Sequence, residues 1–463
     1  MSFISFGYVL LFGVSWLGYF LLPGVARSVL LLGVGLLLYS WGSWLYFVLL
    51  AFSILASYGF GRMVRPGSRF WFGLAVMVNL APLAFFKYGH FLQGFFHPIS
   101  SGSATVYLLP AGISFYTFQA LSYLTDIRRG QIAPCRNLLD YSLFHSFFPQ
   151  LVAGPVERAG HLLPQIREVR KQAIYDASAT VRGLELILLG FFKKMVLADS
   201  FALMADPAFG NPGVAGGGYL WFATYAFAFQ IYFDFSGYID IGRGSAACLG
   251  IRLVENFQAP YRASSLGDFW RRWNITIGTW FRDYVYIPLG GNRQGPWRRG
   301  LAVLATFALS GLWHGASWTF VGWGIFHGIF FLLERIWQKL PRWSCVILTF
   351  HLVCAGWILF RADSFSSAWL ILEKIGSWLP AFLFEPPVAA FSEIEAKLLW
   401  GGNSLLVWGL AVGVLFFEAG TGSRLAKFVF SRRLPRFVLY YLALLTIWLV
   451  SPFAGKQFIY FQF

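Results

Sequence analysis

The chain has 463 residues, of which 57% are hydrophobic and only 12% are Asp, Glu, Lys or Arg. Soluble proteins carry about 25% charged residues, so this composition excludes a water-facing protein of about three globular domains. A net charge of +16 leaves nucleic-acid binding open until the positions of the charges are considered.

Apolar segments with the length of membrane-spanning helices recur along the whole chain. About twelve of them lie near residues 4–22, 29–43, 45–61, 70–87, 106–125, 180–204, 217–236, 301–317, 318–333, 344–360, 403–418 and 437–454. The first segment lacks the basic residues that begin a cleavable signal peptide, so we expect it to be a span. The pattern predicts an all-α polytopic membrane protein, with 1–463 as a single membrane domain.

The basic residues fall between alternate apolar segments. Twenty-eight of the 36 Lys and Arg lie on one side, from Arg27 and the 62–69 cluster to the segments 252–299 and 424–436. Because loops rich in Lys and Arg stay in the cytoplasm, both termini are predicted to lie outside it. The charge therefore indicates orientation, and we expect no nucleic-acid partner.

Two regions do not fit simple spans. Segment 138–166 is apolar but is interrupted by Pro149, Gly154, Pro155 and Pro164, which favours a re-entrant or broken helix. Segment 252–299 is a long amphipathic polar insert. It places Trp270, Trp273, Trp280 and Trp297 among arginines, which is typical of helices that lie in the cytoplasmic membrane interface.

His314 is the clearest candidate for chemistry inside the membrane. It lies in LSGLWHGA (309–316), within an apolar hairpin predicted at 301–333. A buried imidazole can take a proton from a hydroxyl and later return it. Gly311 and Gly315 would let another backbone or a narrow substrate approach closely. The alternative is a hydrogen-bonded packing histidine.

His327 lies on the returning helix of the same hairpin. Two histidines could ligate a metal, but no nearby Cys or carboxylate offers a third ligand, so we expect no metal site. A structural or supporting role beside His314 is the better interpretation. The cysteines show no metal-binding spacing and are expected to pack as small apolar residues; they are Cys135, Cys248, Cys345 and Cys354.

A polar block at 268–291 reads DFWRRWNITIGTWFRDYVYIPLGG. Arg271, Arg272 and Arg282 could bind the phosphates of a nucleotide-bearing donor, because guanidinium groups bind phosphate bidentately. Asn274 could donate a hydrogen bond to a carbonyl oxygen as it becomes an oxyanion. The alternative is that these residues are ordinary interfacial anchors.

Four further ionisable residues lie within or beside apolar segments: Lys193, Lys194, Asp234 and Asp240. Charged groups are costly inside a membrane and usually pair with one another. We therefore expect mutual ion pairs.

At these residues the chain resembles the membrane-bound O-acyltransferase (MBOAT) family, and specifically its bacterial alginate O-acetyltransferase-like branch. Five blocks are similar in the same order, and they are LPAGISFY (109–116), FPQLVAGP (148–155), YFDFSGY (232–238), the block 269–291 and GLWHG (311–315). The carboxyl end FIYFQF (458–463) is also similar, so the resemblance spans nearly the whole chain.

The resemblance implies a bowl of about 11 to 12 transmembrane helices, with re-entrant and interfacial helices around a central tunnel. It maps the family's catalytic histidine onto His314 and a second signature position onto Asn274, where many close relatives carry His. Asp283, Trp313 and His327 are expected to join the three arginines in binding donor or substrate.

The resemblance also implies an O-acetyltransferase of the bacterial inner membrane. Acetyl-CoA or another cytoplasmic acyl thioester is the expected donor substrate, and no permanently bound cofactor is expected. A periplasmic acetyltransferase partner would complete transfer to an exopolysaccharide such as alginate or cellulose, with membrane lipids around the protein.

Two alternatives stay open. One is O-acylation of peptidoglycan or another cell-envelope glycan. The other is a non-catalytic transporter of polysaccharide or lipid, although such proteins often show inverted repeats and the sequence shows none.

Overall fold

The computed structural model describes residues 3–96, 110, 112–151, 154–384, 392–420, 433–451 and 458–459. Parts of the sequence blocks 109–116 and 148–155, the basic residues from Arg424 to Arg432, and 460–463 lie outside these ranges. Within them the chain is helical and forms no strand; the one extended pairing is a bridge between Phe257 and Trp273.

Five described stretches of helix are long and apolar enough to cross a membrane. They lie at Trp44–Met63, Phe70–Gly89, Trp318–Ile336, Arg342–Arg361 and Ile394–Glu418. Three shorter apolar helices lie at Phe6–Leu21, Gly24–Ser40 and Leu434–Val450. The prediction of an all-α polytopic membrane protein is confirmed.

The chain forms two compact units. The first contains Met1–Ile187 and Tyr238–Glu255. Its helices are α1 (Phe6–Leu21), α2 (Gly24–Ser40), α3 (Trp44–Met63), α4 (Phe70–Phe96), α5 (Ile113–Arg128), α6 (Leu138–Ser146), α7 (Phe148–Leu151), α8 (Ala159–Lys171) and most of α9 (Ala177–Phe191).

Arg27 on α2 is buried, although the sequence predicts it as a cytoplasmic orientation signal. Its guanidinium donates to the carbonyl oxygens of Tyr19, Leu22 and Val169 at 2.7–2.9 Å. The last carbonyls of a helix have no partner within that helix, so Arg27 satisfies the end of α1 and ties it to α8.

The broken helix predicted at 138–166 is present as α6, α7 and the start of α8. Pro149 lies in the four-residue α7, and the chain from Gly154 to Arg158 is irregular. The buried Glu157 accepts the N–H of Val254 at 2.7 Å, and its other oxygen lies 2.6 Å from His161 Nδ1. That hydrogen bond raises the pKa of His161 above its usual 6.5.

The second unit contains Leu188–Gly237 and Asn256–Phe463. A π-helical turn at Phe192–Ala198 follows α9, and the next helices are α10 (Asp199–Gly210), α11 (Gly217–Cys248), α12 (Leu266–Arg272), α13 (Ile275–Phe281), α14 (Gly295–His314), α15 (Trp318–Leu333), α16 (Arg342–Arg361), α17 (Phe365–Phe384), α18 (Glu393–Trp400), α19 (Ser404–Ala419) and α20 (Arg433–Val450). Both units include part of α11. The core of the second unit is rich in aromatic residues from α10, α11, α12 and α16.

Of the four residues predicted to pair with one another, Lys194 and Asp234 do so in the described structure. Lys194 Nζ lies 2.7 Å from Asp199 and 2.8 Å from Asp234, and all three side chains are buried. Lys193 pairs with Glu418 at 2.5 Å. Asp240, which is in the first unit, lies 3.8 Å from Arg243 instead.

Candidate active site

The hairpin that carries His314 consists of α14 and α15, joined by Gly315, Ala316 and Ser317. The turn ends at Ser317, whose hydroxyl accepts the N–H of Thr319 and caps α15. A Cβ at Gly311 would collide with the carbonyl oxygen of Phe320, and one at Gly315 would collide with the Phe320 ring. The two glycines therefore admit the returning chain of the hairpin itself.

His314 is the last residue of α14 and is 6% exposed. Its ring makes edge-to-face contacts with Trp313, Trp323 and Phe360, with centroids 4.7, 5.0 and 5.3 Å away. These aromatic walls hold the imidazole in one place and exclude bulk water from it.

His327 is fully buried on α15, and its ring lies 5.0 Å from Trp323 and 5.1 Å from Trp270. Neither of its ring nitrogens has a hydrogen-bond partner among the described residues. A Cβ at Gly356 of α16 would lie 2.5 Å from Nε2, so the ring occupies a slot that only glycine leaves open. Trp323 thus stands between the two histidines.

Asn274 lies in the turn between α12 and α13 and is 2% exposed. Its φ of 44° is left-handed, a conformation that Asn tolerates better than most residues. Although Asn274 is the N-cap of α13, its side chain makes no capping hydrogen bond. Its Oδ1 accepts from Asn256 Nδ2 at 3.2 Å instead.

A chain of packed indoles connects the Asn274 turn with the hairpin. Trp273 is 5.1 Å from Trp357, and Trp357 stacks 6.2 Å from Trp323, which contacts His314. Phe281 of α13 also contacts Trp313, at 6.3 Å. The structure therefore places His314, His327, Trp313 and Asn274 around one aromatic cluster of the second unit.

The three predicted phosphate-binding arginines differ in their surroundings. Arg272 is held by Asp268 at 2.9 Å and by the carbonyl of Gln258. Arg282 pairs with its neighbour Asp283 at 2.8 Å, and its side chain is 61% exposed. Arg271 is 73% exposed, with Asp268 at 3.9 Å. Arg271 and Arg282 thus keep largely exposed guanidinium groups, whereas Arg272 braces α12.

The tryptophans of segment 252–299 also differ from the prediction. Only Trp297 has the exposed indole that an interfacial anchor needs. Trp273 and Trp280 are buried, and Trp270 packs between His327 and Trp323. The local pattern of Trp among Arg does not distinguish these cases, because burial is decided by helices far along the chain.

Several residues of the site carry no signal that singles them out in the sequence. Asn256 is 18 residues from Asn274, Trp323 is 9 residues from His314, and Gly356 is 29 residues from His327. Trp323 alone could have been found, because i and i+4 on a helix share a face and His327 is four residues on.

The sequence matches known proteins over most of its length. A profile of the MBOAT, membrane-bound O-acyltransferase family matches residues 133–365. The chain is 36% identical to a probable alginate O-acetylase AlgI of Azotobacter vinelandii, over 82% of this chain and 79% of the relative. It is 34% identical to a peptidoglycan O-acetyltransferase of Helicobacter pylori, over 78% and 76%.

A more distant relative is a teichoic acid D-alanyltransferase of Bacillus subtilis, at 27% identity over 65% of this chain and 80% of the relative. The matched profile covers Asn274, His314 and His327, and it also covers Arg271, Arg272 and Arg282. These likenesses and the membrane helices do not favour the alternative of a non-catalytic transporter. The chain belongs to the membrane-bound O-acyltransferase family and is a multi-pass membrane acyltransferase.

Proposed function

We propose that the protein transfers an acetyl group from a cytoplasmic thioester, acetyl-CoA, to a hydroxyl of an extracytoplasmic polysaccharide such as alginate or cellulose. The observation that carries the proposal is the burial of His314 and Asn274 around one aromatic cluster. The alginate and peptidoglycan O-acetylating relatives support the acetyl group and the glycan acceptor.

His314 is the proposed general base. It takes the proton of the acceptor hydroxyl as the oxygen attacks the thioester carbonyl carbon. The carbon–sulfur bond then breaks, and the imidazolium returns the proton to the departing thiolate. The products are the acetyl ester and free CoA thiol, so one histidine serves both steps.

Asn274 is the proposed partner of the carbonyl oxygen. Negative charge develops on that oxygen in the tetrahedral intermediate, and an amide N–H that is fixed in advance stabilises it. Asn274 cannot act as a base, which leaves proton transfer to His314. The indole N–H groups of Trp270, Trp323 and Trp357 are buried without a hydrogen-bond partner among the described residues, which suits a site that receives oxygen atoms from water or substrate.

The donor is proposed to enter from the cytoplasm, where the positive-inside pattern places segment 252–299. The exposed guanidinium groups of Arg271 and Arg282 would hold its phosphates, with Asp283 orienting Arg282. Trp313 and His327 would line the acyl group. The acetyl ester then leaves on the periplasmic side of a bacterial inner membrane, where a partner acetyltransferase would assist transfer onto the polymer.

A second acceptor, peptidoglycan, is favoured by the Helicobacter pylori relative, whose identity and coverage nearly equal those of the alginate relatives. The two acceptors are separated by offering alginate, cellulose and peptidoglycan oligosaccharides to the purified protein with acetyl-CoA. The acceptor that speeds release of CoA is the substrate.

The test of the catalytic assignment is release of free CoA thiol by purified wild-type protein and by His314→Gln. The variant keeps a side chain of similar size but has no base, so we expect turnover to fall by about a hundredfold or more. His351→Gln is the matched control, because His351 lies in the same unit but bonds Tyr225 at 2.8 Å, away from the cluster. Full turnover in a folded His314→Gln protein would contradict the assignment.

A further inference from the structure

Asn256 occupies the place from which the amide of Asn274 can be oriented. It lies in the extended segment before Phe257, is 1% exposed, and was not singled out by the sequence. Its backbone is fixed by antiparallel pairing. The N–H of Ile275 donates to the Asn256 carbonyl at 3.1 Å, and the N–H of Gln258 donates to the Arg272 carbonyl at 3.0 Å.

The side chain of Asn256 takes over the cap of α13. The N–H of Thr276, at the second position of that helix, donates to Asn256 Oδ1 at 2.9 Å. This is the hydrogen bond that the N-cap residue normally accepts. Asn274 occupies the N-cap position, but its side chain does not make the capping hydrogen bond.

The direction of both amides follows from this one bond. A backbone N–H can only donate, so the atom of Asn256 that faces Thr276 is the oxygen. The nitrogen of Asn256 then faces Asn274, and because it can only donate, the atom of Asn274 that faces it is Oδ1. Nδ2 of Asn274 is left pointing elsewhere, and the described residues offer it no partner.

We propose that Asn256 is a positioning residue that holds Asn274 with its N–H groups directed toward the reacting carbonyl. Without Asn256 the amide of Asn274 can turn over and present its oxygen, which repels a developing oxyanion. This inference rests on the proposed function, since Asn256 acts through Asn274 and touches no substrate itself.

The first test is Asn256→Asp. The new carboxylate can still accept from Thr276, and a negative charge suits the start of a helix, so the fold is kept. The ionised carboxylate of this variant cannot donate to Asn274. The Asn274 amide would then turn its nitrogen toward that carboxylate and away from the reacting carbonyl. We expect kcat for CoA release to fall by about 10² to 10³, as when one oxyanion donor is lost, with little change in KM for the donor.

The second test is Asn256→Ala, which cannot donate in any protonation state. Both substitutions are also made in an Asn274→Ala protein. If Asn256 acts only through Asn274, they lower kcat no further in that background. Asn137→Asp is the matched control, because Asn137 caps α6 through its side-chain oxygen at 3.1 Å and should leave kcat unchanged.

Two results would overturn the inference. One is wild-type kcat in both Asn256 variants, and the other is an equal fall in kcat with and without Asn274, which marks a merely structural residue. Thermal unfolding in detergent verifies that each variant is folded. Failure of the proposed function gives a different result, because turnover would then survive His314→Gln. The Asn256 variants would still measure the link to Asn274, by their effect with Asn274 present and in the Asn274→Ala protein.

Discussion

His327 is held by packing, because its ring nitrogens have no hydrogen-bond partner among the described residues. The ring lies between Trp270 and Trp323, and Gly356 closes the slot at Nε2. Since Trp323 also contacts His314, a shift of His327 is passed to the proposed base through one indole.

Gly356→Ala is expected to displace His327. The added methyl group would lie 2.5 Å from Nε2, and overpacking of this kind costs about 1–3 kcal/mol. We expect a lower unfolding midpoint in detergent and slower CoA release. Gly409→Ala on α19 is the control, because its Cβ would meet nothing within 4 Å. Equal stability and activity in the two variants would show that the slot tolerates a larger residue.

The sequence names His314 and Asn274 as candidate side chains of the site but not the residues that support them. His314 stands out because ionisable residues are rare inside apolar segments. Asn274 was found through its motif, yet its left-handed backbone was not visible, and neither was its bond to Asn256. Asn is enriched among residues with positive φ, so the residue type itself suits this turn.

At the scale of elements, the π-helical turn at Phe192–Ala198 places two adjacent lysines in the core of the second unit. Lys193 and Lys194 bond different carboxylates, on α19 for the former and on α10 and α11 for the latter. The backbone N–H of Ile459 donates to Asp234 at 2.6 Å, so the same cluster also fixes a residue near the end of the chain.

Lys194→Met is expected to destabilise the protein by about 3–5 kcal/mol, because Asp199 and Asp234 would remain buried without their shared cation. The measurement is denaturant unfolding in detergent micelles. Adding Asp199→Asn and Asp234→Asn to the same protein should restore most of the loss, since no uncompensated charge then remains.

Lys171→Met is the control for this prediction. Lys171 pairs with Glu168 at 2.7 Å, but both side chains are more than 60% exposed. Exposed pairs contribute about 0–1 kcal/mol, so little change is expected. Unfolding of Lys194→Met at the wild-type denaturant concentration would contradict the account of the buried cluster.

The hairpin of α14 and α15 could be predicted from two adjacent apolar segments, but its start could not. The sequence predicts that the first helix of the hairpin starts at residue 301, but α14 begins at Gly295. Pro296 is favourable in the first turn of a helix, and the arginines that follow it do not interrupt the helix. The burial of Trp273 was also missed, since it depends on contacts with Tyr232 of α11 and Trp357 of α16 rather than on local pattern.

For the whole molecule, composition and the recurring apolar segments predicted the class of protein correctly. Few charged residues and recurring apolar segments are a property of the entire chain, so they do not depend on any one contact. The orientation, in contrast, rests on the 28 basic residues assigned to the cytoplasm. Arg27 shows the limit of the positive-inside rule, because its guanidinium donates hydrogen bonds to three carbonyl groups inside the first unit.

If the proposed function is right, His314 takes part in passing an acetyl group from the cytoplasmic to the periplasmic side. Inverted membrane vesicles test it directly, because their cytoplasmic face points outward. Radiolabelled acetyl-CoA is added outside, and the glycan acceptor is enclosed.

We expect labelled glycan inside vesicles that contain the wild-type protein and none above background in vesicles that contain His314→Gln. Equal labelling by the two proteins, or label only on acceptor placed outside, would contradict it.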